Sequence, residues 1–348
     1  MTTTDTAHPV TGDRERLLGM LFGFFPAQVL QTVARLDVAE HLAAGPLTAT
    51  ELAVRTGTDP DAQYRLLRAA SVLGLVELTV DGTVSLTPDG ALLRRGEPGS
   101  LGRLAMLFCG EKTWRSWGEL AQSVRTGEPA WERVTGTSTF AAFDDDPELS
   151  ATFTEAMAEG TRGAVPGVVA SADLTGVATL ADIGGGNGTL LAGILAAHPD
   201  LRGILFDSPS GLGDADEVLT AAGVADRCET AGGDFFTEVP TADAYVVKSV
   251  LHDWDDERCR RILAAVRAAI GDDGALFVVE PVLPREPGEL ADRQITLMSD
   301  LNMLVCTGGK ERTSDEFAAL FTASGFTLES VTACPPPTGY SVLRARPA

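Results

Sequence analysis

Polar and apolar positions divide the chain into two regimes. From about Leu17 to Leu42 apolar residues recur at helical spacing, with Phe22, Val29, Val33 and Leu36 as markers. Pro26 is the expected kink in this segment and Gly45-Pro46 its end. Thr48-Ala49-Thr50-Glu51-Leu52-Ala53 predicts a new helix capped by a threonine, and Asp61 to Leu73 a further helix with Leu66, Leu67 and Ala70 inward. Val76 to Leu86 alternates apolar and polar across Asp81-Gly82, the signal of a hairpin. Helices followed by a hairpin in this order predict a winged helix. Residues 100–167 read as helical, with Trp114, Trp117 and Trp131 among them. From about Leu174 onward short apolar strands alternate with helices, the pattern of an α/β fold with a parallel sheet.

The most telling stretch lies at the start of that second regime. Leu180-Ala181-Asp182-Ile183-Gly184-Gly185-Gly186-Asn187-Gly188-Thr189-Leu190 reads as a buried strand that ends in a glycine-rich turn and feeds a helix. Such a turn presents bare backbone N–H groups to a nucleotide-like ligand. A dinucleotide fingerprint wants a small third residue where Thr189 stands. Asp182 would repel a pyrophosphate but suits a ligand that carries positive charge. D-x-G-x-G-x-G therefore favours S-adenosyl-L-methionine over NAD, with a plain strand–helix turn as the bland alternative.

Further polar strand ends follow at intervals. Gly203 to Asp207 is a second apolar strand, with Asp207 about 20 residues past the glycines, the spacing of a carboxylate that caps a ribose diol. Gly232-Gly233-Asp234-Phe235-Phe236 offers an acid and a ring for an adenine, and Ala244 to Leu251 is an apolar run interrupted by Lys248. His252 follows that run in His252-Asp253-Trp254-Asp255-Asp256, at the same sheet edge as the glycines. A histidine there could take a proton from a substrate hydroxyl near neutral pH. Alternatively Asp253 or Asp255 merely caps the next helix and His252 lies in a solvated loop. Partners for an imidazole base are Glu280, expected at the end of the strand Ala275–Val279, and Glu311, which also reads as an ordinary first-turn acid.

Composition narrows the field. The chain has 348 residues with a formal charge of −22, which argues against nucleic acid as a partner. The winged-helix segment from Leu47 to Arg95 carries six acids and five arginines, where a DNA-reading surface would be strongly basic. No apolar run approaches the roughly 20 residues of a bilayer span, and residues 1–13 are polar with no secretory h-region. Five dispersed cysteines (Cys109, Cys228, Cys259, Cys306, Cys334) read as reduced cytoplasmic thiols, with no disulfide framework and no metal site. The apolar first helix, with Phe22, Phe24 and Phe25, is the natural dimer interface.

Taken in order, Asp182 to Gly188, Phe206-Asp207, Gly233 to Phe236, His252 to Asp256 and Gly308-Gly309-Lys310-Glu311-Arg312-Thr313 resemble the S-adenosylmethionine-dependent O-methyltransferases of the caffeate/flavonoid/hydroxyindole type, whose bacterial members tailor antibiotics. The resemblance spans essentially the whole chain. It implies a winged-helix dimerisation domain at 1–100 and a methyltransferase domain at 101–348, made of a helical substrate-pocket segment (101–167) and a Rossmann-like core (168–348). It implies that Gly184 and Gly186 hold the methionine part of the cofactor, Asp207 the ribose, and Gly233, Asp234 and Phe235 the adenine, with Asp182 and Ser249 in the same set and Lys248 and Trp254 closing over it. His252 would be the general base, bracketed by Glu280 and Glu311. Phe153, Met157, Met298, Asn302 and Met303 would line a pocket for an aromatic acceptor, and the protein would be a cytoplasmic homodimer. Two departures stand out: Ser208-Pro209 replaces the usual Leu-Pro after Asp207, and Cys306 stands where plant members often carry an asparagine, so a different acceptor is expected. The rival readings are an enzyme of this fold that runs hydroxylation, decarboxylation or pericyclic chemistry, a DNA-binding regulator, and an NAD-dependent oxidoreductase.

Overall fold

The structure is a computed structural model and describes residues 12–97, 99–336 and 338–348. The polar leader before Gly12, with His8, lies outside the described residues. The chain divides into two compact units, Met1–Pro98 and Gly99–Ala348.

In the first unit the expected single helix is three: Arg14–Leu21, Phe24–Arg35 and Val38–Leu42. The breaks fall at Gly23 and at Asp37, which adopts φ 51°, and not at Pro26. Pro26 sits in the first turn of its helix, where no intrahelical partner for its missing N–H is required. Thr48 and Glu51 form a reciprocal capping box on the helix Ala49–Thr56, and Asp59 caps Pro60–Val72. Strands β1 (Leu47–Thr48), β2 (Val76–Leu78) and β3 (Thr83–Leu86) form an antiparallel sheet in the order β1-β3-β2. Val33, Val38, Leu52, Leu67 and Val84 fill the core beneath it. The expectation about apolar runs needs correction. An 18-residue window within Arg14–Arg35 has a mean hydropathy of 1.5 and, by length and composition alone, could cross a membrane. Met20, Leu21, Phe24 and Phe25 all lie exposed on this unit, as a surface that another chain covers would.

The second unit opens with six helices, the last of which is Pro147–Ser171, capped by Asp146. The sheet follows: β4 (Thr179–Ile183), β5 (Arg202–Asp207), β6 (Cys228–Gly232), β7 (Ala244–Lys248), β8 (Ala275–Leu283), β9 (Arg312–Thr313), β10 (Phe326–Ala333) and β11 (Tyr340–Pro347). Its order is β10-β11-β8-β7-β4-β5-β6, with β9 beside β8. The five strands from β6 to β8 are parallel, as expected, but β11 runs antiparallel to β8 and β10 antiparallel to β11, so the sheet is mixed.

Alternate residues of the central strands feed two cores. Ala181, Ile183, Tyr245, Val247, Leu276 and Val278 pack toward the helices Asp256–Ala269 and Ser314–Ala323, whereas Leu180, Val246, Phe277 and Val279 pack toward Thr189–Ala197 on the other face. The chain leaves β4 toward β5 on one side and returns through β7 on the other. The crevice at this reversal, outside the carboxyl ends of β4 and β7, is where open α/β sheets take ligands.

Candidate active site

The glycine loop follows β4. Gly184, Gly186 and Gly188 adopt φ of 69°, 57° and 79°, conformations that side chains disfavour. A Cβ at Gly184 would lie 2.7 Å from Val250 Cγ2, and one at Gly185 2.5 Å from Leu205 Cδ1. Asp207 ties the loop to the next strand: its Oδ2 accepts the Gly186 N–H at 2.8 Å and its Oδ1 accepts the Ser208 N–H at 2.6 Å. Burial raises the Asp207 pKa, and these two N–H donors oppose it. Asp182, expected to suit a ligand that carries positive charge, is 1% exposed and packs beneath Gly185, with Oδ2 lacking a hydrogen-bond partner. Burial pushes its carboxyl up to about 7, Lys248 pulling it down and Asp207 adding to the rise.

Opposite the loop, Gly233 packs against the Phe206 ring, and Asp234 closes its own turn by accepting the Phe236 N–H (2.9 Å) and the Thr237 hydroxyl (3.1 Å). Phe235 sits beside Gly184, and its ring is 4.9 Å from Phe236 and 6.4 Å from Trp254. Phe140, which the sequence did not single out, stacks on Trp254 at 5.0 Å. Lys248 was expected to close over the adenine with Trp254. It turns toward β11 instead, with Nζ 3.1 Å from Ser249 Oγ, 3.4 Å from Tyr340 Oη and 4.7 Å from the Tyr340 ring centre.

The histidine does not follow its strand directly. β7 ends at Lys248, Ser249 turns the chain at φ 51°, and His252 lies on the 3-10 turn Leu251–Asp253. Glu280 is not at a strand end either, because β8 continues to Leu283. Glu280 is fully buried, and its Oε1 accepts three consecutive backbone N–H groups, from Val250 (3.1 Å), Leu251 (3.0 Å) and His252 (3.3 Å). Its Oε2 lies 3.5 Å from His252 Nδ1. Glu311 Oε1 is 3.1 Å from the same Nδ1 and accepts the Ser299 hydroxyl at 2.7 Å. With Nδ1–H donating to a carboxylate, Nε2 is the acceptor on the far side of the ring. Burial alone would lower the histidine pKa, but Glu280, Asp253 and Glu311 outweigh it and hold it well above 6.5. Asp253 itself is pushed up to about 7 by burial, with the imidazole opposing.

Asp255 caps the following helix, so capping and the histidine constellation coexist on one turn. Arg312, another residue that the sequence left without a role, holds this turn from behind. It is fully buried and donates to the carbonyls of Leu251 (2.9 Å) and Trp254 (2.8 Å) and to Asp256 (2.8 Å). Lys310 also reaches Asp256, at 3.2 Å, while Glu311 faces His252. This period-two alternation was the signal available in Lys310-Glu311-Arg312. Gly309 is required because a Cβ there would collide with the His252 carbonyl oxygen.

The acceptor set comes from two helices. Phe153 and Met157 share one face of Pro147–Ser171, and Phe153 packs 4.6 Å from Phe143 and 6.2 Å from Phe140. Met298, Asn302 and Met303 belong to Gln294–Cys306, on an arc centred near Ser299. Met298 is 48% exposed and Met303 only 8%. Asn302 Oδ1 accepts the Trp117 indole N–H at 2.9 Å, which leaves its amide N–H groups free to donate, and Cys306 Sγ lies 3.5 Å from the same oxygen.

Comparison with known proteins decides the family. Residues 117–327 match the model of an O-methyltransferase domain, and residues 18–95 that of an O-methyltransferase dimerisation domain. The chain belongs to the O-methyltransferase family. This methyltransferase is 41% identical over 340 residues to the O-demethylpuromycin-O-methyltransferase of Streptomyces alboniger, covering 97% of this chain and 90% of the relative. It is 42% identical over 332 residues to a phenazine O-methyltransferase of Lysobacter antibioticus, covering 95% of each. It also matches, at a TM-score of 0.78 and 32% identity, the solved structure of an O-methyltransferase from neocarzinostatin biosynthesis in complex with S-adenosylmethionine and 2-hydroxy-5-methyl naphthoic acid, covering 93% of this chain and 96% of that one.

The methyltransferase's sheet edge fits a nucleoside cofactor with a cationic centre. The glycine loop is bare, Asp182 Oδ2 is an orphaned acceptor beneath it, and Asp207 and the Phe235–Trp254 rings flank it. His252, Glu280 and Glu311 place their ligating atoms within 4.8 Å of one another, a spacing that could also bridge a metal ion. Here the Nδ1–Oε1 pair has the length of a hydrogen bond, and Glu280 Oε1 is already occupied by three N–H groups. Replacing Arg312 by methionine strands two buried carbonyls. Chemical denaturation is expected to show a loss of about 2–4 kcal/mol, and an unchanged midpoint would contradict the clamp.

Proposed function

We propose that this methyltransferase transfers the methyl group of S-adenosyl-L-methionine to a phenolic hydroxyl of an aromatic or polyketide natural product, with His252 as the general base. The observation that carries the reading is an imidazole whose Nδ1 faces two buried carboxylates, 3.1 and 3.5 Å away, at the sheet edge that bears the glycine loop. Names of relatives that act on puromycin and phenazine scaffolds support the choice of acceptor class. The exposed apolar face of the first helices, within the segment that matches a dimerisation domain, supports a homodimer. We place the enzyme in the cytoplasm.

When bound, the cofactor supplies an electrophilic methyl carbon on a sulfonium. Gly184, Gly186, Asp207, Gly233, Asp234, Phe235, Ser249 and Trp254 form its bed, and Asp182 and Lys248 bias the field beneath it. His252 Nε2 would receive the proton of the acceptor hydroxyl, and Glu311 and Glu280 would stabilise the imidazolium through Nδ1–H. Phe153, Met157, Met298, Asn302 and Met303 hold the acceptor ring. Much of the acceleration arises from keeping oxygen and methyl carbon in line.

His252→Ala is expected to keep donor affinity, read by calorimetry, and to lose roughly 10²–10⁴-fold in kcat; unchanged turnover, measured as gain of one methyl group in product mass, would remove the base assignment. Because Nε2 must be unprotonated to act, and the carboxylates hold the histidine above its ordinary 6.5, the acid limb of the rate profile should lie above pH 6.5. Glu311→Gln should move that limb to lower pH and lower its plateau; a limb that stays in place would separate Glu311 from the base. Exhaustive chelation is expected to leave turnover unchanged, whereas a loss restored by a divalent ion would assign the triad to a metal.

A further inference from the structure

Ser249 is one of only two non-glycine residues with positive φ among the described residues. Side chains disfavour such a conformation, so something must hold it. Its N–H pairs with the Val279 carbonyl at 3.1 Å, and its hydroxyl lies 3.1 Å from Tyr340 Oη and 3.1 Å from Lys248 Nζ. The consequence lies one residue further on. Val250 takes φ −119° and ψ −48°, a right-handed conformation directly after a left-handed one. This reversal leads into the 3-10 turn Leu251–Asp253, whose opening N–H groups point the same way and form an anion nest. The anion in this nest is Glu280 Oε1, which accepts from Val250, Leu251 and His252.

From this geometry we infer that Tyr340 is a positioning residue for the methyl-transfer site: its hydroxyl locks Ser249 in the left-handed turn that builds the nest, and the nest aims Glu280 Oε2 at His252 Nδ1. Tyr340 opens β11, 60 residues from Glu280 in sequence, and pairs with Pro281 across the strands, beside Glu280. It lies beyond the matched methyltransferase segment 117–327. Lys248 completes the lock, with its ammonium over the tyrosine ring at 4.7 Å. Burial tends to raise the Tyr340 pKa, but Lys248, the Ser249 hydroxyl bond and His252 carry it below its ordinary 10, so the phenol shares one electrostatic cluster with the histidine. The other charged groups bearing on His252 are Glu280, Asp253 and Glu311.

The inference rests on the reading of His252 as base, and the test separates the two. Tyr340→Phe keeps the ring against Lys248 and removes only the hydroxyl. Its kcat is expected to fall about tenfold, with the KM of donor and acceptor unchanged to within about twofold. The His252 imidazole, followed by NMR, should titrate at lower pH, toward 6.5, because Glu280 drifts from Nδ1. Ser249→Ala should move the His252 titration in the same direction, and that readout carries the test if the tyrosine variant does not fold. Ser249→Gly in the Tyr340→Phe background should recover most of the lost kcat, since glycine holds the left-handed turn without a lock. An unmoved His252 titration in a folded variant, a loss confined to the donor KM, or no recovery with glycine would overturn the positioning role. A moved titration with undiminished turnover would uphold it and sink the base assignment instead.

Discussion

A fully buried carboxylate beside a histidine is the constraint around which the site is arranged. Glu280 is completely buried, and its charge is tolerable only because three backbone N–H groups and an imidazole surround it. To supply those N–H groups the chain must leave β7 through a left-handed serine and a 3-10 turn. To keep that turn from relaxing, Arg312 is buried behind it and Gly309 lets the next segment approach within contact of its backbone. Catalytic geometry and loop packing are therefore one problem, with the electrostatic demand of Glu280 at its centre.

The cofactor side obeys a different logic. Its loop is held by aspartates: Asp207 accepts the Gly186 N–H, and Asp182 lies buried below. The two halves meet through Lys248, which bears on Asp182 from one end of β7 while its ammonium is parked on Tyr340. Aromatic rings bridge the same gap on the outer side, where Phe140 stacks on Trp254 and also meets Phe153 of the proposed acceptor pocket. The proposed donor and acceptor sites are thus linked through these side chains.

What the sequence disclosed, and what it hid, follows from range. The glycine loop, Asp207 and the His252-Asp253-Trp254 run were legible because strand, turn and polar tip are neighbours along the chain. Glu280 and Glu311 were legible as candidate partners, but their placement was not. A strand continuing through Pro281 contradicts the usual expectation for proline, which is tolerated here because β9 pairs with β8 only from Val282 onward. Tyr340 and Ser299 gave no local signal of function, since each acts on a partner that the fold alone brings near. The break at Gly23, where Pro26 had been expected to act, reflects a simple rule: proline disrupts a helix interior and suits its first turn.

The central claim, that the imidazole of His252 receives the proton of the acceptor hydroxyl, is tested most directly by a crystal structure of the ternary complex with S-adenosylhomocysteine and a phenolic acceptor that the enzyme turns over. The account predicts His252 Nε2 within about 2.6–3.2 Å of the phenolic oxygen, that oxygen facing the sulfur, and Nδ1 still on Glu311. An acceptor oxygen held by another side chain, with the imidazole turned away from it, would contradict the account.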